Sequence, residues 1–471
     1  MTSVMTFIYP ELILVTGALL VLMTGAFGLK RRTIGLIAFL TVLAAALALP
    51  GTADVHQIIF SRMLINDVLG LSMRYFILLA LGLAVLMAIA TSWPDDSDAG
   101  EYYFFLLIAA VSMTLAVTAG NLMVIYLTVE TLSIVSYLLA CFYCKDLFST
   151  EAGLKYFLFG ALSTGLMLYG ISLAYGIFHS LDLSVIGGVL AAGNVNSLLL
   201  ITAAVLIFAG LAFKASLVPF HMWVADVYEG APWPVAAFFS IGPKALGFAL
   251  MVRIFLSYPA FMHSGWGAVA VFLAIATMTA GNLAAFHQSS VKRVLAFSSV
   301  AQAGYIFAGM ATGSLGLKAA FFYIVIYAFM NMGAFASAAF LSTGRSTLES
   351  FQGLSRRSPS GALIFSIFLL SLAGLPPLAG FLAKFFVVWT ALETRHFVLA
   401  GAVMANSVIA FFYYLKIIKA MYFDQPSTTE PLSAINIPLT GKLLLVICLL
   451  MVIYLGIHPQ PVMNILLSVF K

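Results

Sequence analysis

Charge is what this sequence has least of. Asp, Glu, Lys and Arg together make up 8% of its 471 residues, against about a quarter in an ordinary soluble domain. Hydrophobic residues make up 63%, so a soluble fold of this length would lack the polar surface to cover itself. The sequence signatures of cofactor chemistry are missing too. There is no Walker loop, no GxGxxG opening a helix, no HExxH and no four-cysteine set for an iron–sulfur cluster. The chain shows no means of hydrolysing ATP or moving electrons by itself. Cysteine is scarce: Cys141 and Cys144 form one CxxC at the end of an apolar run, and Cys448 stands alone. With no second pair, the two read as small packing residues rather than a metal or redox site.

What the sequence has instead is long apolar runs. A window of about 19 residues finds roughly fourteen of them, the pattern of an all-α polytopic membrane protein. The spans centre on residues 8–28, 33–50, 69–91, 102–118, 121–143, 152–178, 197–228, 231–257, 266–285, 293–313, 316–343, 361–392, 398–422 and 441–461. The first run contains Glu11 and leads straight into further spans, unlike a cleavable leader. Loops are short, so no soluble domain is attached. The net charge of +5 reflects lysine and arginine on cytoplasmic loops rather than nucleic-acid binding. Lys30-Arg31-Arg32, Lys145, Lys292-Arg293, Arg345, Arg356-Arg357, Lys416 and Lys419 fall on or beside odd-numbered connections. Even-numbered ones hold Arg62, Arg253, Lys318 and Arg395. The odd side is therefore expected to be cytoplasmic, with both termini outside. The acidic loop Asp95-Asp96-Ser97-Asp98 runs against this, but acids count little in the rule.

Two spans are interrupted. Span seven carries Lys214 and then Pro219-Phe220-His221; span twelve carries Pro376-Pro377 and then Lys384. Proline removes a backbone donor and breaks the helix. Backbone groups freed inside a bilayer need a lining of protein or water. Breaks at matching places in two halves point to an internal repeat with a transport path. Lysine precedes the proline in one span and follows it in the other, as repeats of opposite topology would have it.

Buried charge is the second signal. Glu130 lies mid-span, with Tyr126, Ser133 and Tyr137 on its helical face. Lys214, Lys244 and Lys384 are embedded in apolar sequence, Lys244 just after Gly242-Pro243. Each such charge costs at least ~2.5–3.5 kcal/mol to insert. A pair that only holds helices together needs one charge of each sign. Three lysines face one obvious acid, so that role cannot explain all four. Proton handling can: an ammonium loses charge readily away from water, and a carboxylate about 4 Å away restores ~4 kcal/mol at an effective dielectric of ~20. Making or breaking a Glu130–Lys214 contact would then act as an electrostatic switch. His221, Lys155 and Lys416 are secondary candidates. A lone histidine is more often a packing residue, and the two lysines sit near span ends where they can snorkel to headgroups. Glu11 and Glu393 are also expected to reach headgroups.

Several stretches carry a resemblance. Val129-Glu130-Thr131-Leu132-Ser133, Phe213-Lys214 through Pro219-Phe220-His221 to Asp226, Glu229-Gly230-Ala231-Pro232, Lys292-Arg293 through Ser299, and Gly374-Leu375-Pro376-Pro377 are similar to the antiporter-like membrane subunits of respiratory complex I and of multisubunit cation/proton antiporters. The likeness runs from about residue 100 to 425. Pro10-Glu11-Leu12, Lys244 after Gly242-Pro243, and Phe351-Gln352-Gly353-Leu354 with Arg356 and Pro359 resemble one subunit branch of bacterial NADH-quinone oxidoreductase. The resemblance implies two inverted five-helix repeats with discontinuous helices 7 and 12. The implied division is a three-helix segment at 1–98, repeats at 99–258 and 259–424, and a closing helix at 425–471. It implies Glu130 and Lys214 as an ion pair, Lys244 as the central lysine and Lys384 as the exit lysine. Where some family members carry histidine this chain has Gln302, so a relay there would need water.

The expectation is a proton-translocating membrane subunit of NADH-quinone oxidoreductase in the bacterial inner membrane. It would bind no cofactor itself, with FMN, iron–sulfur clusters and quinone in partner subunits. Its partners would be the bilayer and other membrane subunits, sister antiporter-like chains included, and not nucleic acid. A Na+/H+ antiporter subunit and a non-transporting scaffold are the rivals.

Overall fold

The computed structural model describes residues 2–52, 57–91, 93–143, 145–193, 197–256, 266–342, 346–425, 435 and 437–470. Cys144 and Arg345 lie outside the described residues. Among the described residues the chain is almost wholly helical, and thirteen helices are long and apolar enough to cross a membrane, one of them the first piece of span seven. The span twelve read from sequence is split into two 15-residue helices, Pro359–Ala373 and Ala379–Glu393. Span seven is likewise split, into Ser197–Ala215 and the short Val224–Gly230. The sequence reading of two interrupted spans is thus the observed architecture. Each break contains a cis X-Pro bond, Val218–Pro219 and Pro376–Pro377.

Helix starts follow local chemistry. Asn121 caps span five (Leu122–Ala140), its side chain accepting from Met123 N at 2.8 Å. Asp146 caps span six (Leu147–Phe178) in the same way at 3.1 Å. Both satisfy amides that a helix leaves unpaired at its start.

The chain forms two compact units. The first comprises Met1–Val85, Trp93–Ser216 and Gly242–Gly267. In it span one packs on spans two and four, with Gly25 and Gly100 face to face. Span six runs alongside Ser197–Ala215, with Gly170 and Gly210 at the crossing. Small residues let helix backbones close in where lipid supplies no hydrophobic drive. An antiparallel hairpin, Gln57–Ile59 with Leu64–Asn66, precedes span three (Val68–Ala90). The second unit comprises Leu86–Ser92, Leu217–Ile241 and Ala268–Lys471. Its core is span ten (Val291–Ala311), buried along almost its whole length. Spans eleven (Ser314–Leu341), twelve and thirteen (Phe397–Tyr422) pack on it.

One expectation fails in the first unit. Glu11 does not reach headgroups; it is buried against Arg74 of span three, which is itself fully buried. Arg74 Nε donates to Glu11 Oε1 at 3.0 Å and Nη2 to Oε2 at 2.5 Å. Nη2 also reaches Phe7 O at 2.9 Å, and the guanidinium lies 4.4 Å from the centre of the Phe7 ring. A glutamate with a buried guanidinium in reach gains more from a two-pronged pair than from a headgroup. Glu393, by contrast, is exposed.

Candidate functional site

The helix that ends at the break in span seven sets the site of the first unit. Lys214 stands in the last turn of Ser197–Ala215, where the negative end of the helix dipole favours a cation. Ser216 then takes a left-handed conformation, φ 62°. The Lys214 side chain is 1% exposed. Its ammonium lies 5.8 Å from the Tyr156 ring centre and 6.0 Å from that of Phe213. Tyr156 meets Tyr137 edge to face at 5.1 Å. The stripe read from sequence on span five is thus turned toward span six. Ser133 is fully buried, and Gly160 of span six has no side chain where the Tyr137 hydroxyl sits.

Glu130 and Lys214 form no hydrogen bond with each other. Lys214 Nζ and Glu130 Oε2 are both buried with no protein hydrogen-bond partner. The rest of Glu130 is only half-buried, more open than a mid-span acid was expected to be. Lys244 is 2% exposed on span eight. One turn later Gly247 packs directly on Ala215; a Cβ there would lie 2.9 Å from the Ala215 amide nitrogen. That close approach brings the Lys244 helix to the residue beside Lys214.

In the second unit the break in span twelve holds Lys384. The helix Pro359–Ala373 ends on Gly374, whose φ of 92° is a conformation only glycine adopts freely. Its last carbonyls have lost their helical partners. Lys384 reaches back to two of them, Leu372 O at 3.0 Å and Ala373 O at 2.8 Å. Its ammonium also lies 4.7 Å from the centre of the Tyr305 ring. A polar cluster continues from there. Gln302, fully buried, donates to Leu372 O at 3.1 Å and to the Tyr414 hydroxyl at 3.4 Å. It accepts from the Tyr323 hydroxyl, and Ser298 bonds the Tyr414 hydroxyl. Asn282 donates to the Tyr305 hydroxyl at 3.2 Å and to Asn406 Oδ1 at 3.0 Å.

The secondary candidates sit elsewhere. His221 is half-buried in the turn between the two pieces of span seven. Lys155 pairs with Glu151 one turn away at 2.8 Å, and Lys416 is exposed, donating to Gln288 O at 3.3 Å. Sequence reasoning missed a further group. Lys292, read as a loop cation, is buried and donates to Glu229 O and Ala231 O. Arg293 beside it bridges Asp226 and Glu229 at 2.9 and 2.8 Å. The signal was present: two cations opening a helix, the end where a cation is least favoured. Among the described residues no group of three or more His, Cys, Asp or Glu could hold a metal ion.

The sequence pattern of the NADH:quinone oxidoreductase/Mrp antiporter transmembrane family matches residues 119–410. NADH-quinone oxidoreductase subunit N of Parvibaculum lavamentivorans is 38% identical over 463 residues, covering 96% of this chain and 94% of that one. A chain of respiratory complex I from Thermus thermophilus with bound aureothin superposes with a TM-score of 0.81 at 30% identity, covering 97% of this chain and 98% of that one. A chain of the Mrp complex from Dietzia sp. shares the fold, with a TM-score of 0.86 at 22% identity over 100% of this chain and 97% of that one. With its broken spans, its buried lysines and these relatives, the chain belongs to the NADH:quinone oxidoreductase/Mrp antiporter transmembrane family, in the branch of NADH-quinone oxidoreductase subunit N.

Proposed function

We propose that this chain moves protons across a bacterial inner membrane as a subunit of NADH-quinone oxidoreductase, both termini on the outer side. The observation that carries the reading is a lysine buried at each helix break, Lys214 in one unit and Lys384 in the other. In this reading spans four to eight and nine to thirteen are inverted repeats, preceded by a three-helix segment and followed by a closing helix. FMN, iron–sulfur clusters and quinone belong to partner subunits, and redox chemistry there drives the cycle.

The Glu130–Lys214 pair is the switch. In contact, the two charges stabilise each other by ~4 kcal/mol at 4 Å and an effective dielectric of ~20. Apart, as here, each bears its own burial cost. Lys214 then hands its proton on, through Lys244, and Lys384 releases it. The half-open flank of Glu130 supports a multisubunit setting, because an intramembrane acid is not left facing lipid. A sister membrane subunit covering that flank would let one subunit's charge state act on the next.

The test is quinone reductase activity and proton pumping in membranes carrying Glu130→Gln, Lys214→Ala or Lys244→Ala. Each should lose pumping while the complex still assembles. Undiminished pumping in all three would overturn the proposal. Because the family also spans Mrp antiporters, the same membranes should be assayed with and without Na+. Transport that requires Na+ would favour an antiporter subunit instead.

A further inference from the structure

In the repeat reading, span five is the second helix of the first repeat and span ten the second helix of the second. The broken spans seven and twelve are the fourth helices. The first repeat sets an acid on its second helix, Glu130, toward the lysine of its fourth. The second repeat has no acid to match. Among the described residues of the second repeat, Glu349, Glu393 and Asp424 are half-buried or exposed, and no carboxylate is buried. What span ten does set against Lys384 is the face of Tyr305, 4.7 Å from the ammonium.

We propose that Tyr305 is the counter-group of Lys384: its ring face takes the place in the second repeat that a carboxylate takes in the first. An ammonium has three N–H donors. Two go to Leu372 O and Ala373 O, and the ring lies within the distance at which its negative face attracts a cation. The ring is held for this. Tyr305 is fully buried, its hydroxyl accepts from Asn282 at 3.2 Å, and Asn282 is fixed in turn by Asn406 and by the Tyr413 hydroxyl at 3.1 Å. The ring also stacks on Tyr323 at 6.2 Å. A fixed quadrupole differs from a carboxylate in one way that matters for an exit site. It carries no net charge and cannot take the proton itself. Lys384 is thereby held as a cation without a partner that captures what it releases. Tyr305 is in this sense a positioning residue, acting through Lys384.

The proposal rests on the reading of Lys384 as a proton carrier, and the experiment separates the two. The assembled complex is assayed for protons pumped per electron transferred, with Lys384→Met, Tyr305→Phe, Tyr305→Leu, and mono-, di- and trifluorinated phenylalanine at position 305. Tyr305→Phe keeps the ring face and its stacking on Tyr323 and should lose only the part of pumping that the Asn282 tether supplies. Successive fluorination, which drains the ring face at almost constant shape, should lower pumping stepwise, and Tyr305→Leu should lower it furthest, a desolvated cation–π contact being worth roughly 30-fold in the equilibrium between charged and neutral Lys384. A flat fluorination series, or pumping in Tyr305→Leu equal to that in Tyr305→Phe, overturns the role of the ring. Intact pumping in Lys384→Met overturns the carrier reading beneath it. Should Tyr305→Leu fail to assemble, the fluorinated series still decides.

Discussion

Replacing Arg74 by methionine keeps much of its bulk and none of its charge, and strands Glu11 in the interior of the first unit. Arg74 is 0% exposed and Glu11 3%. Both carboxylate oxygens of Glu11 are engaged by the guanidinium, at 3.0 and 2.5 Å. Removing one partner of such a pair typically costs about 3–5 kcal/mol, because the remaining charge stays buried and uncompensated. At 1.4 kcal/mol per tenfold, that is roughly a hundredfold to several thousandfold in the ratio of folded to unfolded protein. Glu11→Leu alone should cost a similar amount by stranding Arg74. The two together should not: an apolar pair of similar volume is often neutral, so Glu11→Leu with Arg74→Met is expected within about 1 kcal/mol of the parent. Thermal unfolding in detergent and the yield of assembled complex measure all three. Since neither residue belongs to the lysine set, the double variant should also pump normally per electron transferred. A double variant as unstable as the singles would show that packing, not charge, is what the pair supplies, and the reasoning would fail.

Gly247→Ala should separate the Lys244 helix from Ser197–Ala215, because its Cβ would meet the Ala215 amide nitrogen at 2.9 Å. Overpacking of this kind costs about 1–3 kcal/mol, and pumping should fall further than assembly does. Gly374→Ala places a side chain at φ 92° with its Cβ 2.9 Å from Lys384 Cδ. A loss of about 1–2 kcal/mol is expected from the backbone alone, with pumping again falling further than quinone reduction. Arg293→Met removes two half-exposed ion pairs worth about 0.2–1 kcal/mol each. The drop in melting temperature should shrink as salt is raised, and a salt-independent drop would contradict that assignment.

The parts of this architecture that depend on sequence-local physics were legible without coordinates. Apolar runs mark spans wherever the bilayer is the solvent, and Pro219, Pro376 and Pro377 mark breaks because a missing donor acts on its own helix. Lys214, Lys244 and Lys384 stand out for the same reason: a charge in an apolar run is visible whatever surrounds it. Pairing between distant helices is not local. Glu11 and Arg74 are 63 residues apart, and Glu11 lies close enough to a span end to pass for a headgroup contact. Lys292 passed for a loop cation because its acceptors are backbone carbonyls, which leave no mark in sequence. Tyr305 is one aromatic among many in a chain that is 14% aromatic; only its distance to an ammonium sets it apart.

The order of lysine and proline reverses between the two breaks, yet the electrostatic outcome is the same. Lys214 precedes its break and lies in the last turn of its own half-helix. Lys384 follows its break, on the second half-helix, and reaches back to the last carbonyls of the first. In both cases the lysine serves the negative end of the half-helix that comes before the break, Lys214 by its place in the last turn and Lys384 by bonding the carbonyls there. That end exists because the helix stops inside the membrane; an unbroken helix would bury no such pole there. The break thus does two things with one proline segment. It frees carbonyls that must find a donor, and it creates the one backbone feature able to offset the ~2.5–3.5 kcal/mol of inserting a lysine. Moving Lys384 by one turn away from its break, with the prolines left in place, should therefore lose both the stabilised cation and the satisfied carbonyls together; moving Lys214 away from its own should lose only what the helix end supplies.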